Sequence, residues 1–176
     1  MKLSLSWIRD YVKIPENIDL KKLAYDLTMS TVEVEDVEYL ASRFEHMVVG
    51  VIQEIQAHPN ADKLRVCKVD IGGEVKEIVC GGINLREGMR VAVSCPGAIV
   101  RWHGEGAPVV IKNYKLRGVE SYGMICASDE IGLGDLFPAS QEAEILDLSD
   151  FDVPAGTPLA QALDMDDVLL EIDNKS

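Results

Sequence analysis

Short alternating strands separated by turn residues constrain the fold of this chain most, and they fill residues 46–135. Apolar side chains recur at every second position in four runs, which are Val49–Ile55, Leu64–Val66, Val75–Val79 and Met89–Val93. This period places them on one face of a half-buried strand. Turn-forming residues bound the runs, namely His58-Pro59-Asn60, Gly72-Gly73, Gly81-Gly82 and Pro96-Gly97. The pattern favours a mainly β domain of about five strands.

A partly open, five-stranded Greek-key barrel of the oligonucleotide-binding (OB) kind satisfies this pattern most economically. Such a barrel removes most sheet edges, while it leaves one face and the connecting loops free to bind a ligand. A β-sandwich shares the same alternation and stays open as an alternative on the strand pattern alone.

The segments on either side of the barrel, residues 1–45 and 136–176, hold too little apolar surface to be stable alone. We therefore expect them to pack together as the two halves of a small split α+β domain, with the barrel of residues 46–135 inserted between them. The chain stops at Ser176, directly after the strand-like run Leu169–Asp173. We take this as a sign that the chain is a piece of a longer polypeptide.

Two helices are predicted in the first flank. One spans Trp7–Val12 behind a Ser6 cap, and the other follows Asp19 and places the apolar residues of Leu20–Leu27 on one face. We expect Trp7 and Tyr25 to pack in the core, as aromatic side chains in small apolar units usually do. The second flank is predicted to form a strand, a short helix and another strand, at Ile145–Leu148, Leu159–Leu163 and Val168–Ile172.

The formal charge of −13 is unevenly distributed. Residues 46–135 hold ten basic and eleven acidic side chains, whereas residues 136–176 hold one basic and ten acidic. This balance argues against tight, sequence-blind nucleic-acid binding, because such binding depends on Lys and Arg neutralising phosphates; no DNA partner is expected. No apolar run approaches the roughly eighteen residues of a membrane span and no signal peptide is visible, so we expect a cytoplasmic protein without a membrane partner.

The sequence supports neither a metal site nor a catalytic site. Its four cysteines lie 13, 15 and 31 residues apart without a paired C-x-x-C, and each lies in or beside an apolar strand. We predict that they are interior side chains and not ligands or nucleophiles; they are Cys67, Cys80, Cys95 and Cys126. The three histidines have no carboxylates at ligand spacing. We therefore assign no catalytic residue, no metal ligand and no cofactor to this chain.

Several stretches of the barrel segment are specific enough to indicate a family. They are His58–Leu64 (HPNADKL), Ile78–Asn84, Val91–Ala98 and the closing stretch Lys115–Ser128. In this order they resemble the tRNA-binding module shared by free tRNA-binding proteins, some methionyl-tRNA synthetases and the β subunit of bacterial phenylalanyl-tRNA synthetase. The flanks narrow the choice, since Met1–Ile8, Thr28–Glu35 and Asp167–Ser176 are similar to parts of that β subunit.

The resemblance covers essentially all 176 residues and implies an OB barrel inserted in a split α+β domain of a much larger subunit. In the family, that subunit pairs with a catalytic α subunit in a heterotetramer that ligates phenylalanine to its tRNA. The ATP and magnesium chemistry belongs to parts outside this chain, so the resemblance implies a non-catalytic segment that binds tRNA. Two alternatives stay open: a structural and assembly module with little RNA affinity, and a free-standing tRNA-binding protein.

Eight polar side chains of the barrel segment are candidates for contact with tRNA phosphates, sugars or bases. They are Lys63, Arg65, Asn84, Lys112, Lys115, Arg117, Ser121 and Ser128. Four rings are candidates for stacking on an unpaired base, namely Trp102, His103, Tyr114 and Tyr122. Gly118 and Gly123 are predicted to form a turn or bulge that re-aims the last strand. The chain departs from the module at Gly82-Ile83, where related modules commonly carry alanine and proline.

Overall fold

The computed structural model describes residues 1–173, which divide into two compact units. The larger unit runs from Phe44 to Leu163, and the smaller one combines Met1–Arg43 with the described residues from Asp164 onward. The last three residues, on which the expectation of a longer polypeptide partly rests, lie outside the described residues.

The strands of the described chain are short except for one. In chain order they are β1 Lys2–Ser4, β2 Glu33–Tyr39, β3 Met47–Ala57, β4 Arg65–Asp70, β5 Val75–Cys80, β6 Arg90–Ser94, β7 Ile99–Val100, β8 Val109–Val110, β9 Tyr114–Leu116, β10 Val119–Ser121, β11 Met124–Ile125 and β12 Val168–Asp173. The helices are α1 Leu5–Arg9, α2 Leu20–Ser30 and α3 Leu159–Ala162, and 3₁₀ turns span Leu40–Phe44, Trp102–Gly104 and Asp129–Ile131. None of these helices combines the length and the apolar content needed to cross a membrane.

The larger unit contains the predicted barrel. Its five-stranded antiparallel sheet has the order β11-β6-β3-β4-β5, and the 11-residue β3 pairs with both β4 and β6 across a register shift between Ile52 and Glu54. Two hydrogen bonds join β5 to the segment after β9 and nearly close the sheet on itself. The backbone N–H of Val79 donates to Ser121 Oγ (3.0 Å), and that of Tyr122 donates to the Glu77 carbonyl (2.9 Å). The predicted fold class, a mainly β chain with an OB-like barrel, is confirmed.

The barrel interior is filled by branched aliphatic side chains together with sulfur-containing ones. Fully buried members include Ile52, Cys67, Val69, Ile78, Met89, Val91 and Val93. Burial raises the pKa of the Cys67 thiol to about 11 and that of the Cys126 thiol to about 12. All four cysteines are free, and Cys95 is half-buried where the other three are buried. The prediction of interior thiols therefore holds best for those three.

The second predicted domain boundary, between residues 135 and 136, differs from the structure. Residues 136–163 belong to the barrel unit because their backbone pairs with its strands. Val49 N donates to the Thr157 carbonyl (2.9 Å), Gly156 N donates to the Val49 carbonyl (2.8 Å), and Leu148 N donates to the Arg90 carbonyl (2.9 Å). The strand predicted at Ile145–Leu148 is reduced to one β-bridge, between Val91 and Asp147.

The smaller unit is a three-stranded antiparallel sheet of order β1-β12-β2, accompanied by α1 and α2. The predicted cap of α2 is confirmed, because the Asp19 carboxylate accepts hydrogen bonds from the N–H groups of Lys21 (3.0 Å) and Lys22 (3.2 Å). Helix α1 starts earlier than predicted, since Ser4 and not Ser6 accepts the capping bond from Trp7 N at 3.1 Å.

The expectation that Trp7 and Tyr25 are core residues is wrong. Their side chains are 57% and 64% exposed. The interior of this unit is supplied by Leu5, Leu170 and Ile172. Because α1 has only five residues and buries Leu5 alone, its aromatic residue is left on the surface.

Candidate nucleic-acid interface

Two loops of the barrel that carry the family-like stretches are joined by a buried histidine. His58, only 6% exposed, accepts a hydrogen bond at Nδ1 from the Asn60 backbone N–H (3.0 Å). The proton of the neutral ring must then reside on Nε2, which donates to the Leu116 carbonyl at 2.9 Å. His58 thus ties the loop after β3 to the hairpin formed by β9 and β10.

A second bond fixes the tip of that hairpin. The Asn60 side chain donates from Nδ2 to the Arg117 carbonyl at 3.0 Å. Arg117 and Gly118 form the tight turn with φ of 48° and 91°, the left-handed pair expected of a two-residue hairpin loop. The prediction that Gly118 serves a turn is confirmed. We call residues 58–65 and 112–118 together the two-loop rim.

All five basic candidates from the sequence lie on the two-loop rim and are exposed. Arg65 is partly engaged, because its guanidinium donates to the carbonyls of Asp62 (3.0 Å) and Leu64 (2.9 Å). Lys115 lies 3.8 Å from the Glu120 carboxylate. Within residues 1–173, Lys63, Lys112 and Arg117 form no ion pair, so their charges are available to an anionic partner.

The other three candidates are either bonded within the fold or buried. Asn84 donates from Nδ2 to the Ile145 carbonyl (2.9 Å) and accepts at Oδ1 from Ile145 N (2.8 Å). Its side-chain amide thus bonds the Ile145 backbone as a neighbouring strand would. Ser121 is 1% exposed, and its hydroxyl bonds Val79 N and the Gly123 carbonyl. Ser128 is 2% exposed. Buried hydroxyls cannot reach an external nucleotide, so the assignment of Ser121 and Ser128 to RNA contact is wrong. Both polar atoms of the half-buried Asn84 side chain are already bonded to Ile145.

Three of the four candidate rings line one cleft in the barrel unit, with a volume of about 640 Å³. Trp102, His103 and Tyr114 share its wall with apolar side chains such as Leu64, Leu116 and Met124. The fourth ring, Tyr122, lies in a different groove beside Lys115, where Lys76 Nζ is 4.8 Å from its centroid.

Sequence reasoning missed the acidic side of this cleft. Four carboxylates line it, those of Asp129, Glu130, Glu142 and Glu144, and no described Lys or Arg does so. Burial raises the pKa of Glu130, whose Oε2 accepts from Ala127 N at 2.8 Å. Glu142 and Glu144 come from residues 136–163, which the sequence had assigned to a different domain, so nothing in the pattern placed them beside the rings.

Comparison with known proteins identifies the module. The sequence pattern of the family described as "Putative tRNA binding domain" matches residues 47–158. The chain belongs to this family. Within this domain, the two-loop rim carries three cations without an ion-pair partner among the described residues, whereas the cleft is lined by four carboxylates.

Longer proteins contain relatives of this tRNA-binding domain and its flanks. The chain is 38% identical over 175 residues to a "Phenylalanine--tRNA ligase beta subunit" from Oceanobacillus iheyensis and 42% identical over 174 residues to one from a Synechococcus strain. These matches cover 98% of this chain and 21% and 20% of the relatives, so the chain spans about a fifth of their length. A solved "MetRS related protein from Pyrococcus horikoshii" is 22% identical, with a TM-score of 0.44 over 64% of this chain and 87% of that one. The predicted resemblance to the ligase β subunit is confirmed.

The described residues of this domain were compared with two kinds of reactive site, a metal centre and an activated thiol. No group of three or more His, Cys, Asp or Glu side chains within residues 1–173 converges as metal ligands do. Burial raises the pKa of the Cys80 and Cys126 thiols to about 12, which is the opposite of what a nucleophile needs.

Proposed function

We propose that this chain is a non-catalytic tRNA-binding segment of a phenylalanine-tRNA ligase β subunit, and that it contacts tRNA through the two-loop rim. The observation that supports this best is the pair of hydrogen bonds from His58 and Asn60 to the hairpin carbonyls of Leu116 and Arg117. They hold two loops far apart in sequence as one surface, on which Lys63 and Arg117 are exposed and unpaired.

The contact on this surface is electrostatic. Arg117 presents a planar guanidinium that can hold a phosphate through two parallel N–H bonds, and Lys63 and Lys112 add point charges. Each neutralised phosphate releases condensed counterions, so affinity falls as salt rises. Because the whole chain carries a net charge of −13, binding is weak and is observed best at low ionic strength.

The remainder of the reaction lies in the longer protein. We propose that ATP, magnesium and phenylalanine are handled by the catalytic α subunit and other β-subunit domains, joined with this segment in a cytoplasmic heterotetramer. The similarity to β subunits about five times the length of this chain supports this assignment. The chain alone should neither activate phenylalanine nor charge tRNA.

The test is a titration of the chain with bulk tRNA at low salt, followed by fluorescence anisotropy of labelled tRNA. Arg117→Ala and Lys63→Ala should each weaken binding severalfold, whereas Lys115→Ala should act less because Lys115 lies beside Glu120. Lys13→Ala, a matched loss of an exposed lysine in the smaller unit, is the control. Equal losses of affinity in all four variants would mean that tRNA binding depends only on the total charge of the chain, which would contradict the proposal.

A second candidate, an assembly module with little RNA affinity, is favoured by a different observation. The smaller unit exposes large apolar side chains that a free-standing domain would tend to bury, including Trp7 (57%), Tyr11 (77%), Tyr25 (64%) and Met29 (69%). If no tRNA association is detected even at low salt, the assembly role replaces the first proposal.

A further inference from the structure

We propose that the acidic cleft of the barrel unit binds an arginine side chain presented by a peptide. The cleft shares Leu64, Tyr114 and Leu116 with the two-loop rim, but none of the five basic side chains of the rim lines it. The cleft holds about 640 Å³. Binding pockets for small ligands have volumes of about 300–1,000 Å³, so the cleft has room for more than a single side chain. Its chemistry, and not its size alone, selects the occupant.

The carboxylates outnumber the cations at the cleft. His103 interacts electrostatically with Glu130, and Glu142 also lines a neighbouring groove that contains Lys63 and Arg65. Asp129, Glu130, Glu142 and Glu144 line the cleft, and none of these carboxylates forms an ion pair with a described residue. Glu144 is fixed in place because its Oε2 accepts from Ser140 N (2.6 Å) and Gln141 N (3.1 Å). Carboxylates that have no ion-pair partner and lie beside a partly buried apolar wall repel phosphate and attract a cation.

The aromatic rings of the cleft favour a cation with a planar, weakly hydrated charged group. Trp102 is 48% exposed, and Tyr114 and His103 line the same wall. Guanidinium groups stack on such rings and give up their hydration more readily than ammonium groups. The alkyl part of the side chain would contact Leu64, Leu116 and Met124. An arginine within a peptide satisfies the carboxylates, the rings and the apolar wall together.

The experiment uses the whole chain with Trp7→Phe, so that Trp102 is the sole tryptophan and its fluorescence reports on the cleft. The probe is an acetylated, amidated tripeptide with arginine between two alanines. The comparison peptide carries citrulline, which has the same shape without the charge. We expect saturable binding of the arginine peptide and about tenfold weaker binding of the citrulline peptide, since the charge meets several carboxylates and a ring.

Single substitutions distinguish peptide binding in the cleft from peptide binding to the surrounding surface. Glu142→Gln should weaken the arginine peptide by about threefold, as expected for one partly exposed charge pair. Glu105→Gln, a matched change at an exposed acid outside the cleft, should leave binding unchanged, and so should Arg117→Ala on the two-loop rim. Free agmatine, which carries the guanidinium without a peptide, should bind more weakly than the tripeptide.

Three results would overturn the inference: equal binding of the arginine and citrulline peptides, no saturable response at millimolar peptide, or displacement of the peptide by guanosine or adenosine monophosphate. The last would identify the cleft as a nucleobase pocket. Because these readouts do not involve tRNA, failure of the cleft proposal leaves the proposed tRNA contact standing, and the reverse also holds.

Discussion

The carbonyl oxygen of Ser94 lies so close to the Cα of Gly123 that a Cβ on Gly123 would overlap it. Gly123 also has a φ of 65°, in the left-handed region. It directly precedes β11, which pairs with β6 through Met124 and Ser94. The backbone of the last barrel strand can approach β6 this closely only without a side chain, and the predicted role of Gly123 as a backbone device is thereby confirmed.

We expect Gly123→Ala to lower the free energy of unfolding by about 2 to 4 kcal/mol, since left-handed strain and overpacking act together. Gly73→Ala is the control, because Gly73 has a φ of 88° but nothing within 4 Å of its missing Cβ. Urea denaturation of both variants in a Trp7→Phe background, followed by Trp102 fluorescence, separates the effect of crowding at the missing Cβ from the effect of backbone strain. Equal destabilisation in the two variants would contradict the close approach of Gly123 to Ser94.

Asn84→Ala should destabilise the barrel unit by about 1 to 3 kcal/mol, because the Ile145 N–H and carbonyl lose their partners. Binding of tRNA should be unchanged when it is measured below the denaturation transition. The measurement pairs a urea transition with the anisotropy titration. Weaker tRNA binding at unchanged stability would instead restore Asn84 to the interface.

The smaller unit should lose stability in acid through Asp167. Burial alone would raise the pKa of this carboxyl, but hydrogen bonds from Ser4, Ser6 and Val168 outweigh it and hold the pKa below its ordinary value of 3.8. A lowered folded-state pKa means that the stabilisation is present at neutral pH and is lost as the pH falls below about 4.

Asp167→Asn should therefore be less stable than the natural chain at pH 7, and the difference should shrink as the pH falls below 3.8. Trp7 fluorescence in a Trp102→Phe background follows the unfolding of this unit by urea at each pH. Asp166→Asn, an exposed neighbouring acid, serves as the matched control and should change nothing. A pH-independent difference for Asp167→Asn would show that the charge of Asp167 is not what stabilises the unit.

Local sequence signals predicted the strands, their turns and the α2 cap, because period-two alternation, Gly and Pro positions and an Asp cap are properties of neighbouring residues. Polar roles were less predictable, since they depend on distant partners. Asn84 and Ile145 are 61 residues apart, and Ser121 and Val79 are 42 apart. The local sequence around an Asn or Ser beside a turn is the same whether its side chain binds a ligand or a distant backbone group, so the sequence does not distinguish the two roles.

The predicted domain boundary between residues 135 and 136 was wrong for the same reason, because it depends on contacts between residues that are distant in sequence. Residues 136–163 contain little regular structure, so their alternation is weak, and they join the barrel through isolated backbone bonds such as that from Leu148 to Arg90. The fit of Gly82 also depends on them, because a Cβ there would overlap Ile145 Cγ1. The departure from alanine at Gly82 is thus explained by packing against a segment that the sequence assigned elsewhere.

The most direct test of the tRNA contact is the salt dependence of tRNA binding by the natural chain and by Arg117→Ala. Plots of log affinity against log salt concentration should be linear and steep for the natural chain, and the substitution should flatten the slope by about one unit. Lys13→Ala should leave the slope unchanged. A slope that is the same for the natural chain and Arg117→Ala, or no binding at low salt, would contradict the assignment of the two-loop rim as the tRNA contact.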